Sequence, residues 1–294
     1  MKKILISLFL LSASVLSFAQ AVPFVQIPSD ARALSLGGTG LLQSAGAYAW
    51  DNNMAVSALG EQTAAFGANY ASWAPASSQM GLVNSGGYYR LGKLSLALGG
   101  RYCLEQPYEL VSGVSKVLGT FTPKEFTLGA GVAYQIMDPL AVGVSLRYIS
   151  SELAESARGS AVAADITATY SVGGLLAAVG VSNLGSKISY GGQGNALPTT
   201  AKAGVSYRLG GLVAGVEADY LLSGGLMAGA GVEYGFANLA FVRAGYHYGS
   251  GSALPSFLSL GAGVHFKGVR LDVSWLTASE ALGNTLSLGL SYGF

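Results

Sequence analysis

The sequence predicts an all-β protein: a transmembrane antiparallel β-barrel of about 14 strands with an N-terminal hatch or plug segment. The chain is 51% hydrophobic, yet beyond residue 19 no window approaches the ~18 uninterrupted apolar residues of a transmembrane helix. Apolar residues instead alternate with small or polar ones, and 43 glycines with 16 tyrosines suit strands better than long helices. In hydrocarbon every backbone amide needs an internal partner, so such a chain can span only as a closed barrel.

The N-terminus predicts an export signal. Met1-Lys2-Lys3 is positively charged, residues 4–16 are mostly apolar, and Ser17-Phe18-Ala19 has the small residues of a cleavage site. Residues 1–19 are therefore interpreted as a signal peptide, and the mature chain is expected to begin at Gln20. An uncleaved anchor helix, the alternative, would need nearer to about 20 apolar residues and no cleavage site.

Residues 20–62 are not predicted to form strands of the barrel wall, because they lack a sustained alternation of apolar and polar residues. They also contain Pro23, Pro28, the pair Gly37-Gly38 and the run Asp51-Asn52-Asn53, which favour turns and loops. A barrel of about 14 strands is wider than the roughly eight-stranded size that side chains alone can fill. This segment is therefore predicted to fold back as a hatch inside a barrel formed by residues 63–294.

Fourteen strand candidates follow the hatch, at residues 63–73, 80–91, 93–104, 124–136, 140–152, 160–172, 174–184, 199–209, 211–222, 225–236, 238–249, 256–266, 268–277 and 284–294. Tight turns such as Gly210-Gly211 alternate with connections that are mostly longer, such as residues 105–123 and 153–159. Outer-membrane barrels have short periplasmic turns and longer external loops. The sequence thus predicts a multi-pass protein of the bacterial outer membrane whose barrel wall begins and ends on the periplasmic side.

The last strand shows the alternation most clearly. One face carries only large apolar side chains, from Leu286, Leu288, Leu290, Tyr292 and Phe294, and the other carries only small or polar residues. The final Tyr292-Gly293-Phe294 also resembles the C-terminal signal that the bacterial outer-membrane assembly machinery reads.

Charged side chains collect on the opposite, inward face of the strands. The predicted lumen-lining residues are Arg101, Arg147, Asp165, Lys202, Arg208, Glu217, Asp219, Glu233, Arg243, Arg270 and Asp272. A charge on the lipid face at mid-depth costs about 2–4 kcal/mol, so its exclusion from one face indicates lipid on that side. Pairing across strands, such as Lys202 with Asp219, or between wall and hatch is the structural interpretation. A selective path through the lumen is the alternative.

No constellation in the sequence predicts catalysis, a metal or a cofactor. His247 and His265 fall at opposite ends of their strands, and Cys103 is the single cysteine, so neither a nucleophile–base pair nor ligand spacing is present. A net charge of +1 gives no basic footprint for nucleic acid. The chain is therefore predicted not to be an enzyme and not to bind nucleic acid.

Two stretches carry a family resemblance. Residues 28–40, with Asp30, Ala31, Arg32, Gly37 and Gly38, resemble the N-terminal signature of the PorV/PorQ family, relatives of the FadL-type fatty-acid channels. The run Val181–Tyr190 resembles that family as well. Members are fourteen-stranded outer-membrane barrels with a hatch, so the resemblance implies a type IX protein secretion component or cargo-shuttle partner. The hatch usually carries Asn-Pro-Ala, whereas this chain reads Asn53-Met54-Ala55.

Other functions fit the same fold, because fold does not decide function. A FadL-like passive channel for hydrophobic small molecules would show an apolar pocket in the wall or hatch, and a porin would have an open lumen without a plug. The partners expected on these interpretations are the lipid bilayer, secretion-machinery or exported cargo proteins at the external loops, or a hydrophobic small-molecule ligand.

Overall fold

A computed structural model describes residues 21–111, 117–250 and 254–294, and the predicted signal peptide lies outside these ranges. Fourteen strands close into an antiparallel barrel in which each strand pairs with its neighbours along the chain and the first pairs with the last. The prediction of an all-β barrel with fourteen wall strands is confirmed. None of the helices in the described ranges is long and apolar enough to cross a membrane.

The wall strands are β1 (Ala64–Trp73), β2 (Met80–Leu91), β3 (Leu94–Leu104), β6 (Lys124–Met137), β7 (Leu140–Ala154), β8 (Ala157–Val172), β9 (Leu175–Gly185), β12 (Thr200–Leu209), β13 (Leu212–Leu221), β14 (Leu226–Phe236), β15 (Ala240–Gly249), β16 (Phe257–Phe266), β17 (Val269–Thr277) and β18 (Thr285–Gly293). Two hairpins outside the barrel comprise β4 (Tyr108–Val111) with β5 (Val117–Phe121) and β10 (Ile188–Tyr190) with β11 (Gln193–Asn195). The segment before the wall contains helices α1 (Ala31–Ser35) and α2 (Ala49–Asn52) and the 3₁₀ turns Pro23–Gln26 and Met54–Ala58.

The connections differ from the sequence prediction in two respects. The hairpins β4–β5 and β10–β11 occupy stretches predicted as plain loops, because strands of three to five residues are too short to show a readable alternation. The predicted long loop at residues 153–159 is wrong: β7 and β8 continue into it and only residues 155–156 join them. We call the barrel end with the hairpins the loop end, and the opposite end, where β1 starts and β18 finishes, the turn end.

The two faces of the wall differ in exposure as the alternation predicts. In β18, Leu286, Leu288 and Leu290 are 50–60% exposed on the outside, whereas Ser287 is 1% exposed. Ser287 is buried because Asn69 of β1 donates to its hydroxyl at 2.9 Å and the N-terminal segment lies across this part of the interior. The interior face is therefore covered by protein at this depth.

Residues 21–62, which we call the hatch segment, pack against the inside of the wall. The indole of Trp50 rests on Gly86, Gly99 and Gly129, where an added methyl group would overlap the ring. Other inward glycines meet the hatch segment in the same way: Gly131 and Gly143 contact Met54 and Ala55, Gly204 and Gly215 contact Leu42, and Gly229, Gly231, Gly245 and Gly261 contact residues 35–37. The volume left by the missing side chains is thus filled by hatch backbone and side chains.

The hatch segment closes the loop end with an apolar cluster. Phe24 and Val25 belong to a single group of buried residues that includes Leu82, Cys103, Ile149, Phe257 and Leu276 from the loop-end halves of five strands. At the turn end a cavity of about 540 Å³ remains between the hatch segment and the wall. The lumen is consequently filled by apolar side chains at one end and open to a polar vestibule at the other.

Candidate functional site

The first turn of α1 places Arg32 against the wall. Asp30 caps the helix by accepting from the Ala33 amide at 2.9 Å, which fixes the orientation of the helix start. Arg32 then donates to both carboxylate oxygens of Glu233 on β14, each at 2.9 Å. Such bidentate pairs are charge-assisted and geometrically specific. Arg32 therefore binds the hatch segment to one defined position on the wall.

Glu233 lies within a cluster of ion pairs on three strands of the wall. Arg243 of β15 donates to Glu233 at 2.6 Å and contacts Asp272 of β17 at 2.8 Å, and Arg270 of β17 donates to Asp272 at 2.9 Å. With Arg32, three arginines face two carboxylates. Removing any one of the three arginines leaves both carboxylates paired, so the arginines of this Glu233 cluster are redundant.

A second cluster joins α2 to the opposite part of the wall. Asp51 accepts from Arg101 of β3 at 2.7 Å and from Arg147 of β7 at 2.8 Å, and Arg147 also pairs with Asp165 of β8. Burial by itself raises the pKa of Asp51, but the two guanidiniums outweigh it and the pKa lies below its ordinary value. Arg101 also donates to the Phe24 carbonyl at 2.5 Å, so this Asp51 cluster holds both ends of the hatch segment.

Asp165 connects the Asp51 cluster to a bulge in the wall. Its second oxygen accepts from the backbone amide of Asn183 at 2.7 Å, at the point where the register between β8 and β9 shifts. Asn183 has a φ of 57°, and its side chain donates to the Pro198 carbonyl at 3.3 Å. The family-like run Val181–Tyr190 therefore contains a bulge whose Asn183 links the lumen to the connection before β12.

The remaining predicted lumen charges occupy different environments. Glu217 accepts from the Leu41 amide at 3.0 Å, and Lys202 lies opposite Asp219 in the ladder with 3.6 Å between the charged atoms. Arg208 is exposed and lines the turn-end cavity. It therefore belongs to the vestibule, apart from the two clusters.

The other residues of the predicted hatch signature make backbone contacts to the wall. The Ala31 amide donates to Asn69 at 3.0 Å and the Gly37 amide to Ser259 at 3.2 Å. Gly37 has a φ of 72°, and a methyl group there would overlap the Tyr246 backbone, so the position requires glycine. Gly38, at a φ of 80°, packs against the His247 ring.

Asn53 starts the turn Met54–Ala58 in an extended conformation, and its side chain bonds Leu41 and Thr169 at 2.8 and 2.9 Å. The turn forms although the proline of the family pattern is missing.

Sequence reasoning missed several residues that hold the hatch segment. Asp51 was noted only as part of a polar run, and Asn52, which donates to Asp30 at 2.7 Å, was not singled out. Asn69 on β1, which accepts from the Ala31 amide, was not singled out either. A usable signal existed for Asp51, because an acid in a mostly uncharged segment inside a barrel needs a cationic partner.

Both histidines have structural environments. The His247 Nδ1 lies 3.1 Å from the Gly37 carbonyl, and its ring stacks on Phe257 with the ring centroids 4.9 Å apart. His265 lies at the turn end opposite Arg270 in the β16–β17 ladder and lines the vestibule. The two rings occupy opposite ends of the lumen, so they share no site.

Two hollows lined by the described residues have different chemistry. The vestibule is lined by charged and polar residues, among them Arg32, Gln43, Tyr48, Glu61, Arg208, Arg270 and Asp272. A groove of about 810 Å³ lies on the outside of the wall and is lined by small apolar residues of β9, β12, β13 and β14 with Tyr170, Tyr246 and Tyr248. The ladders between these four strands run without a register shift, so the wall is continuous beneath the groove.

The comparison with known families identifies the chain. The family model of the type IX secretion system protein PorV matches residues 13–210, more than half of the sequence. The chain belongs to the PorV family. It is an outer-membrane β-barrel of that type IX secretion family, as the hatch signature and the strand count predicted.

Solved structures agree on the fold at low sequence identity. The toluene transporter TodX of Pseudomonas putida is 12% identical, with a TM-score of 0.63 over 89% of this chain and 96% of that one. The monoaromatic hydrocarbon channel CymD is 12% identical with a TM-score of 0.64, covering 91% and 97%. A FadL homologue of Pseudomonas aeruginosa is 12% identical with a TM-score of 0.61, covering 90% and 98%. No curated protein matches the chain.

The family match bears on catalysis as well. Barrels of the PorV family are non-enzymatic membrane proteins, which confirms the prediction that this chain is not an enzyme. The Glu233 and Asp51 clusters of this PorV-family barrel accordingly hold the hatch segment, and each pairs a hatch side chain with the wall.

Proposed function

We propose that this PorV-family barrel acts in type IX protein secretion as a closed scaffold that binds exported cargo or secretion-machinery proteins at its loop end. The observation that carries the proposal is the attachment of the hatch segment to both sides of the wall. Arg32 binds β14, and Asp51 binds β3 and β7. A segment held at opposite sides by buried ion pairs favours a fixed plug over a moving gate.

Backbone contacts between these anchors support the same conclusion. The amides of Ala31, Leu41 and Ala55 donate to Asn69, Glu217 and Thr167 of the wall at 3.0 Å each. Moving the hatch segment would expose these buried amides and carbonyls together with the ion pairs. Each buried polar group left without a partner costs about 1–3 kcal/mol, so displacement of the whole segment is expensive.

The proposed orientation places the loop end outside the cell and both ends of the barrel wall at the periplasmic side. The six turn-end connections contain two or three residues each, whereas the loop end carries both hairpins. Short periplasmic turns and longer external loops are the rule for outer-membrane barrels. The hairpins β4–β5 and β10–β11 would then be the surfaces available to proteins at the cell exterior.

A passive channel for hydrophobic small molecules is the second candidate, favoured by the fold shared with TodX and CymD. An apolar pocket was expected for such a channel, and the apolar groove lies on the lipid side of the wall, whereas the vestibule is lined by charges. Beyond the vestibule the apolar cluster around Phe24 fills the lumen. The arrangement favours the scaffold over the channel.

The two candidates can be separated by locking the hatch segment with a disulfide between Ala31→Cys and Gly289→Cys. A Cβ atom added at Gly289 would lie 3.9 Å from the Ala31 Cβ, within the range of about 3.5–4.5 Å found in disulfides. The oxidised protein, purified in mild detergent from its own cells, should retain the same secretion-machinery or cargo proteins as the reduced form. The single variant Gly289→Cys is the matched control.

Flux of a hydrophobic solute into liposomes gives the opposing measurement. The scaffold predicts no flux above that of protein-free liposomes, in either redox state. Solute flux that stops on oxidation and returns on reduction, combined with no co-purifying secretion proteins, would establish a channel with a moving hatch.

A further inference from the structure

Three side chains with metal-ligating atoms meet inside the lumen near the loop end. Cys103 of β3 and Glu125 of β6 are direct partners in the ladder, and both point inward. Glu105 follows Cys103 by two positions, which brings it to the same face. The Cys103 sulfur and one carboxylate oxygen from each glutamate all lie within 4.8 Å of one another.

Glu125 is a buried carboxylate without a cationic partner among the described residues. It is 7% exposed, and within the described part of the chain it accepts one hydrogen bond, from the Ser151 hydroxyl at 2.6 Å. Asp51, Asp165 and Asp219, in contrast, each pair with an arginine or lysine of the lumen. Burying a charge is costly unless it is paired or binds a metal. Glu125 therefore has the environment of a metal ligand, because a bound cation would provide the positive charge that the described residues do not place beside it.

Nearby cations do not fill this role. Arg101 lies two residues before Cys103, but its guanidinium is committed to Asn84, Phe24 and Asp51. Cys103 is 1% exposed, and its sulfur has no hydrogen-bond partner in the described part of the chain. A buried thiol and a buried carboxyl thus face each other, and the partly buried Glu105 lies beside them.

We propose that Cys103, Glu105 and Glu125 form a binding site for a divalent cation of the Zn²⁺ type. Zn²⁺ accepts thiolate and carboxylate ligands, with Zn–S of about 2.3 Å and Zn–O of about 2.0–2.2 Å, and completes four-coordination with water. Ligand atoms around such an ion lie about 3.5 Å apart, so the three atoms need to close by only about 1 Å. The Ser151 hydroxyl orients Glu125 as outer-shell partners do.

The site has a path for entry and a structural consequence. Glu105 is only partly buried and belongs to the connection that carries the β4–β5 hairpin, so an ion can arrive from the loop end. A bound ion would join β3, β6 and the base of this connection. Sequence spacing did not reveal the site because its ligands meet only through the β3–β6 ladder.

Titration with Co²⁺ tests the site, because thiolate ligation produces a sulfur-to-cobalt charge-transfer band in the near ultraviolet. The metal-free protein in detergent should bind one Co²⁺ per chain with this band, and added Zn²⁺ should abolish it. Cys103→Ser should lose the band, and Glu125→Gln should weaken Co²⁺ binding by at least tenfold. The exposed Glu109→Gln, on the same connection, is the matched control and should leave both unchanged.

Heat-modifiable migration on a denaturing gel shows whether each variant forms the barrel, and Cys103→Ala provides a second thiol-free variant if serine impairs folding. Absence of the band at saturating Co²⁺ in the folded parent chain would overturn the proposal. A band of the same intensity in a folded Cys103→Ser or Cys103→Ala variant would overturn it as well.

Discussion

The loop end and the turn end of the lumen differ in what lies between the hatch segment and the wall. At the loop end Phe24 and Val25 pack into an apolar cluster, and the adjoining Asp51 cluster is almost fully buried. At the turn end a charged vestibule of about 540 Å³ reaches Arg32 and Arg270, which keep 11% and 23% of their side chains exposed. On the proposed function, the tightly packed loop end is therefore the part of the lumen that closes the barrel.

Because of this difference, we expect the loss of an ion pair to cost more stability in the Asp51 cluster than in the Glu233 cluster. Water and two further arginines can compensate for the loss of one pair in the Glu233 cluster. In the Asp51 cluster both arginines have little access to water, and although Arg147 also pairs with Asp165, Arg101 pairs with Asp51 alone among the carboxylates of the described residues. Without Asp51, Arg101 would stay buried with no carboxylate partner, whereas Glu233 keeps Arg243 and Arg270 when Arg32 is removed. Removing one partner of a buried pair costs most when the remaining charge is left without a partner.

The largest expected effect is that of Asp51→Ala. It leaves Arg101 and Arg147 short of a partner in the buried part of the lumen, and we expect a loss of about 3–5 kcal/mol in the free energy of unfolding. Urea titration of the detergent-solubilised barrel, followed by heat-modifiable migration on a gel, measures this loss. The matched variant is Arg32→Gln, which leaves Glu233 paired with Arg243 and should cost clearly less. Equal losses in the free energy of unfolding for the two variants would contradict the proposed difference between the two ends.

The second prediction concerns the rates at which two cysteines react, one at each end of the lumen, and the substitution that it needs should change stability less. Ser44 is exposed on the vestibule, whereas the native Cys103 is buried near the loop end. In the variant Ser44→Cys a membrane-impermeant maleimide should modify residue 44 quickly and Cys103 at a negligible rate. Mass spectrometry of the labelled peptides distinguishes the two sites, and labelling of Cys103 at a comparable rate would mean that the loop end is not sealed.

The same comparison explains how far the sequence predicts the structure. The wall is repetitive, and lipid on one face forces apolar residues to alternate, so strands such as β18 are found within a residue or two of their ends. The contacts of the hatch segment have no such period. The position of a single segment inside a closed wall decides such contacts. Examples are the pairing of Asp51 with Arg101 and Arg147 and the burial of Ser287, which is 1% exposed.

Short elements and bulges escape sequence reasoning for a related reason. The hairpin β10–β11 has three residues in each strand, too few for alternation to be recognised. The bulge at Asn183 is set by one hydrogen bond from its amide to Asp165, a residue of the neighbouring strand. The charged residues of the lumen were predicted as a set, but their division into two clusters and a vestibule requires the three-dimensional register.

Single-channel conductance tests the central claim that the hatch segment closes the lumen. The intact protein in a planar bilayer should conduct little, because the loop end is filled by the cluster around Phe24. A variant that lacks residues 24–58, checked for barrel formation by heat-modifiable migration, should open a clearly larger pore. If the intact chain passes ions like a general porin and the deletion changes nothing, the hatch segment does not close the barrel and the scaffold proposal fails.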